Sequence, residues 1–180
     1  MNARTIITGG LLIALGILLP SIFHIIGVGG PVILPMHIPI MFAGIFLGPA
    51  AAVLVGVLTP ILSHLLTGMP PLAPIPILPL MVVELSIYGL MIGYLWHNLR
   101  VNIWVSLLGS MVAGRVALGL AAAVIGPLFN LPLNPLIYVQ GAIVAGLPGI
   151  ALQFLVIPPL TKKFFHSRQQ SSVLSSDTIN

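Results

Sequence analysis

The run ILPLMVVELSIYGLMIGYLW, Ile77 to Trp96, decides how the chain is read: twenty residues with one formal charge, the carboxylate of Glu84. A helix of about twenty apolar residues covers the roughly 30 Å hydrocarbon core of a bilayer, so the run predicts a membrane-crossing helix. A charge in such a helix costs several kcal/mol unless it is paired or faces a polar cavity. Glu84 therefore points to a site, and the question is what neutralises it.

The remaining composition agrees with a membrane location. The 180 residues are 58% hydrophobic and 4% charged, with a mean hydropathy of +1.20, whereas a soluble domain is about a quarter charged. Six Lys and Arg against two Asp and Glu give a net charge of +4, but they form no basic patch of the nucleic-acid kind. There are no cysteines, which excludes disulfides, thiolate catalysis and Cys-ligated metals. The phosphate-loop pattern GxxxxGK[ST] is absent, so the chain cannot hydrolyse ATP by that route. One intramembrane carboxylate and no evident internal repeat argue against a self-sufficient ion-coupled carrier.

Gly, Pro and charge clusters bracket six apolar runs: Thr5 to Phe23, Met36 to Leu47, Ala50 to Leu66, Ile77 to Trp96, Ile103 to Ile125 and Leu136 to Leu160. The first reads as a span rather than a cleaved signal, because no small-x-small site with a polar flank follows it. The second is short, and Gly48-Pro49 is either a turn between two spans or a kink in one long helix. Charge placement favours the turn. With six spans, Arg4, Arg100, Lys162, Lys163 and Arg168 all fall on one side, which the positive-inside rule makes cytoplasmic. Trp96 and Trp104 flank the same side, as aromatic belt residues do. The expected fold is an all-α integral membrane protein of six transmembrane helices with both termini cytoplasmic. One domain covers residues 1–163, and residues 164–180 form a polar tail expected to be disordered.

The opposite connections, His24 to Pro35, Thr67 to Pro76 and Gly126 to Pro135, are apolar, rich in Gly and Pro, and free of Lys, Arg, Asp and Glu. They read as a lid packed over something, or as short loops dipping into headgroups. Beneath them lies the second intramembrane charge, Arg115. Glu84 is roughly 18 Å from Trp96 along its helix and Arg115 roughly 18 Å from Ile103 along the next, so the two share a depth on antiparallel neighbours. Arg115 has only Met111 and Gly119 at its i−4 and i+4 positions, so its partner must come from another helix or a ligand. Tyr88 shares the face of Glu84 at i+4. Pairing of the two charges would serve either a polar pocket or a packing clamp. Gly114 and Gly119 leave room for the approach, or serve helix packing.

Further polar side chains gather toward the same outer side: His37, His64, Asn130, Asn134, Tyr138 and Gln140. His37, His64 and Glu84 lack metal-ligand spacing, so no metal site and no cofactor are expected. His24, His97 and His166 read as interfacial. Small residues recur at four-residue spacing, at Gly10 and Ala14, Gly109 and Ala113, and Gly141, Ala145 and Gly149, which permits close helix contact.

These segments together resemble a known family. GGLLIALGILLP (Gly9 to Pro20), LPMHIPIMFAGIFLGP (Leu34 to Pro49), LTGMPP (Leu66 to Pro71), MVVELSIYG (Met81 to Gly89) and GSMVAGR (Gly109 to Arg115) are similar to the substrate-binding S components of energy-coupling factor vitamin transporters. The resemblance covers Thr5 to about Lys163. It implies a non-enzymatic six-helix protein of a prokaryotic plasma membrane that binds a vitamin near the outer face under a lid. It also implies a transmembrane coupling subunit and two ABC ATPases as partners. Gly10 and Ala14 are similar to the Ala-xxx-Ala signature that docks such proteins on the coupling subunit, with Gly in place of the first Ala. The implied substrate is hydroxymethylpyrimidine or pyridoxine, with pantothenate next. The expected binding set is Glu84, Arg115, Tyr88, His37, His64, Gln140, Tyr138 and Asn130. A membrane-embedded enzyme using Glu84 with His37 or His64, and a self-sufficient secondary carrier, are the competing readings.

Overall fold

Backbone N–H and C=O groups in hydrocarbon must be satisfied within the chain, which leaves helices as the economical answer for apolar runs of this length. The computed structural model describes the backbone of residues 2–25 and 30–177 and the side chains of 2–23 and 32–164. All regular structure among the described residues is helical: α1 (Ala3–Ile25), the single turn α2 (Gly30–Ile33), α3 (His37–Leu47), α4 (Pro49–Thr67), α5 (Ile77–Gly93), α6 (Ile103–Leu128) and α7 (Pro135–Asp177). A π-helical turn, Tyr94–Asn98, extends α5. Five of these helices are long and apolar enough to cross a membrane, and the 11-residue α3 is the shorter apolar helix beside them. The lid expected of His24 to Pro35 falls partly on residues 26–29, and His24 and His166 also lie outside the described side chains. The tail expected after 163 falls largely on side chains outside those described, with α7 running to Asp177.

Local chemistry sets the breaks. Gly48 takes φ +87°, a left-handed value that a side chain would resist, and Pro49 opens α4 at its first turn. Gly48-Pro49 is thus a turn between two helices and not a kink. Gly68, at φ +74°, caps α4 through its N–H to His64 O at 2.8 Å. Asn102 caps α6 by accepting from Trp104 N at 3.1 Å, and Asn134 caps α7 by accepting from Leu136 N at 3.0 Å. His97 Nε2 donates to Ile45 O at 2.9 Å, satisfying a carbonyl in the last turn of α3.

α5 is the central post, packed against α3, α4 and α6. Small residues let the backbones meet. A Cβ on Gly56 of α4 would lie 2.8 Å from Leu85 O of α5, and one on Gly89 of α5 2.9 Å from Ala52 O of α4, so this helix pair tolerates a side chain at neither position. Around this post Met41, Ile45, Ile92, Leu107 and Ile157 fill one core cluster, and Leu12, Ile40, Ala52, Val55 and Leu85 a second. The outward faces are apolar: Ile7, Leu120, Val124 and Leu155 are each more than 60% exposed, as lipid-facing residues should be. The helices alternate in direction, so the end of α1, the starts of α3, α5 and α7, the end of α4 and the second half of α6 converge at one end, where they line a cavity.

Candidate functional site

The cavity measures about 210 Å³. Pro20, Leu34, Met36, Met69, Pro70, Ile77, Leu80, Met81 and Leu118 supply most of its wall, and Glu84, Arg115, His37, Tyr138 and Ser63 its polar groups. An apolar chamber with a few convergent polar groups is the usual form of a small-molecule site, here smaller than the drug-sized range.

α5 and α6 build its floor. Arg115 Nη1 donates to Glu84 Oε1 at 2.7 Å, and both residues are buried, at 8% and 4% exposure. The shared depth on adjacent antiparallel helices expected from the sequence is realised as a charge-assisted bond. From α3, His37 brings Nε2 to 3.9 Å from the same Oε1, beyond hydrogen-bond range but within Coulombic reach. Tyr88 lies beneath, its ring edge-to-face with that of His37 at a centroid distance of 5.0 Å. The Tyr88 ring occupies the place where a side chain on Gly114 would stand. Gly114 therefore seats Tyr88, Tyr88 supports His37, and His37 faces the carboxylate held by Arg115.

A family model for the ECF transporter substrate-specific component matches residues 4–161. The chain belongs to that family. No curated protein and no solved structure matches the chain significantly. Membership assigns this S component to a transporter family whose role is substrate binding and not to an enzyme family.

Of the eight binding residues expected for this S component, Glu84, Arg115, His37 and Tyr138 line the cavity, and Tyr88 supports it from below. The other three lie elsewhere. His64 Nδ1 donates to Pro70 O at 2.8 Å, holding the α4–α5 loop whose Met69, Pro70 and Pro71 form part of the wall. Gln140 is exposed on α7. Asn130 is exposed at φ +51° and its N–H closes the end of α6 on Pro127 O at 3.1 Å. Helical phase explains Gln140: two residues, or about 200°, separate it from cavity-lining Tyr138. Among the described residues no three His, Cys, Asp or Glu side chains gather as metal ligands would.

Sequence reasoning missed Ser63 and the methionines Met36, Met69 and Met81. Ser63 was legible, since it follows Thr59 at i+4 and both are buried on one face of α4. The methionines carry no such signal in an apolar chain, although their flexibility suits a wall that must fit a ligand. Gly10 and Ala14 are exposed on the outer face of α1, and a Cβ on Gly10 would meet nothing within 4 Å.

Proposed function

We propose that this S component captures a small water-soluble vitamin or vitamin precursor at the outer face and delivers it by docking on a transmembrane coupling subunit driven by two ABC ATPases. The observation that carries the reading is the cavity of about 210 Å³ lined by the buried Glu84, Arg115 and His37 at one end of the bundle. Buried charges of this kind are rare in membrane helices and mark substrate sites. The positive-inside rule supports an outward-facing cavity and cytoplasmic termini, since Arg4, Arg100, Lys162 and Lys163 all stand toward the other end. In this topology α3 is the sixth crossing, shorter than the bilayer core and continued outward by the segment that lines the cavity.

The exposed small pair Gly10 and Ala14 supports docking through α1, since small residues let a partner helix approach closely. A heteroaromatic alcohol such as hydroxymethylpyrimidine or pyridoxine would place its ring among Met36, Met81 and Leu118 and its hydroxyls toward His37, Tyr138 and Ser63. Pantothenate would turn its carboxylate to Arg115. Titration of purified protein in detergent with these three compounds tests the capture role. Saturable binding of one of them, lost in Glu84→Gln and Arg115→Met, is the expected result.

A further inference from the structure

The buried polar atoms at the cavity are unequally matched. Glu84 Oε1 accepts from Arg115 Nη1, whereas Arg115 Nε, Arg115 Nη2 and both ring nitrogens of His37 are buried without a hydrogen-bond partner among the described residues. A guanidinium is a planar, rigid fork that never gives up its proton in proteins. Its Nε–H and the neighbouring Nη2–H lie along one edge and point the same way, a two-pronged donor. His37 carries at least one further N–H in either charge state. The unmatched groups at this site are therefore mainly donors, and a molecule that completes it must bring acceptors.

Resting on the capture role proposed above, we infer that the ligand carries a carboxylate, held by both prongs of Arg115 Nε and Nη2 while Nη1 stays on Glu84. The fork matches the two coplanar oxygens of a carboxylate and cannot be matched as well by a lone hydroxyl or a ring nitrogen. Arg115 itself lines the cavity, and its Nη2 lies against α7, where a Cβ on Gly146 would stand 3.3 Å from it and 3.0 Å from Leu34 Cδ1, so a side chain there would crowd the guanidinium. Glu84 and Arg115 cancel, so a ligand carboxylate adds one negative charge to the buried site. A phosphate monoester, close to dianionic at pH 7, would add nearly two.

The test uses the purified full chain in detergent. Mass spectrometry identifies the small molecule that co-purifies, and matched probes differing at one group are titrated: pantothenate with panthenol, nicotinate with nicotinamide, and 4-pyridoxate with pyridoxine. The co-purifying molecule is expected to carry a carboxylate, and the acid of at least one pair to bind about 10- to 100-fold more tightly than its neutral partner. Arg115→Lys keeps a positive charge beside Glu84 but offers a point donor in place of a fork, so it should abolish that preference while circular dichroism and monodispersity are unchanged. A co-purifying molecule without a carboxylate, or neutral probes that bind as well as the acids and are indifferent to Arg115→Lys, would overturn the inference and leave the capture role standing. A chain that neither carries nor binds any small molecule overturns the capture role, and the carboxylate with it.

Discussion

Arg115 on α6 donates to Glu84 on α5 across 2.7 Å, and among the described residues these are the two formal charges buried within the helix bundle. The pair uses one carboxylate oxygen and one guanidinium nitrogen. It neutralises the charges against hydrocarbon and leaves the rest of the fork, with His37, beside an apolar chamber. A clamp that served packing alone would be matched on both sides, because an apolar replacement is often as stable as a buried ion pair.

Breaking the pair should be costly and repairing it should not. Glu84→Gln or Arg115→Met alone leaves an uncompensated buried charge and should destabilise the protein by about 3–5 kcal/mol. Glu84→Gln combined with Arg115→Met should recover much of that loss. Thermal unfolding in detergent of the wild type, both single variants and the double variant measures the coupling. Ligand binding should be absent from all three variants, which separates stability from function.

Seating of Tyr88 makes a second expectation. Gly114→Ala places a methyl group where the Tyr88 ring lies, and overpacking of this kind costs about 1–3 kcal/mol. The displaced ring should move His37 as well, so affinity should fall together with the unfolding temperature. Gly119→Ala, whose Cβ would meet only Val139 Cγ2 at 3.3 Å, is the milder control.

His64 holds a loop and is not among the cavity-lining residues. His64→Ala removes its bond to Pro70 O, a contribution of about 1 kcal/mol. Binding should weaken roughly fivefold through faster dissociation, with the order of preference among ligands unchanged. Stopped-flow measurement of release rates for two ligands distinguishes this from a direct contact, which would alter their ratio.

Gly10→Leu and Ala14→Leu project from an outward face of α1 and should leave folding and ligand affinity within experimental error. Both should impair co-purification with the coupling subunit and the ATPases. Retained assembly in both variants would remove α1 as the docking helix.

Much of this arrangement was legible in the sequence because membranes simplify the problem. An apolar run of given length has one regular solution, so five of the helices were found to within a few residues, and the depth match of Glu84 with Arg115 followed from the helical rise. Helical phase was less secure. It placed Tyr88 on the face of Glu84, while nearness in sequence alone grouped Gln140 with Tyr138, and the structure separates them. Loop residues were the least legible, since nothing local distinguishes a carbonyl that holds a histidine, as Pro70 does, from one facing water or lipid. Met36, Met69 and Met81 became wall residues through tertiary packing, which no periodicity records.

The central claim is that this chain captures substrate and depends on partner subunits to move it. Uptake of the co-purifying molecule into proteoliposomes, with and without the coupling subunit and ATPases, tests that claim most directly. ATP-dependent accumulation only in the complete assembly, abolished by Arg115→Met, is the predicted result. Accumulation by the chain alone, driven by an ion gradient, would contradict it.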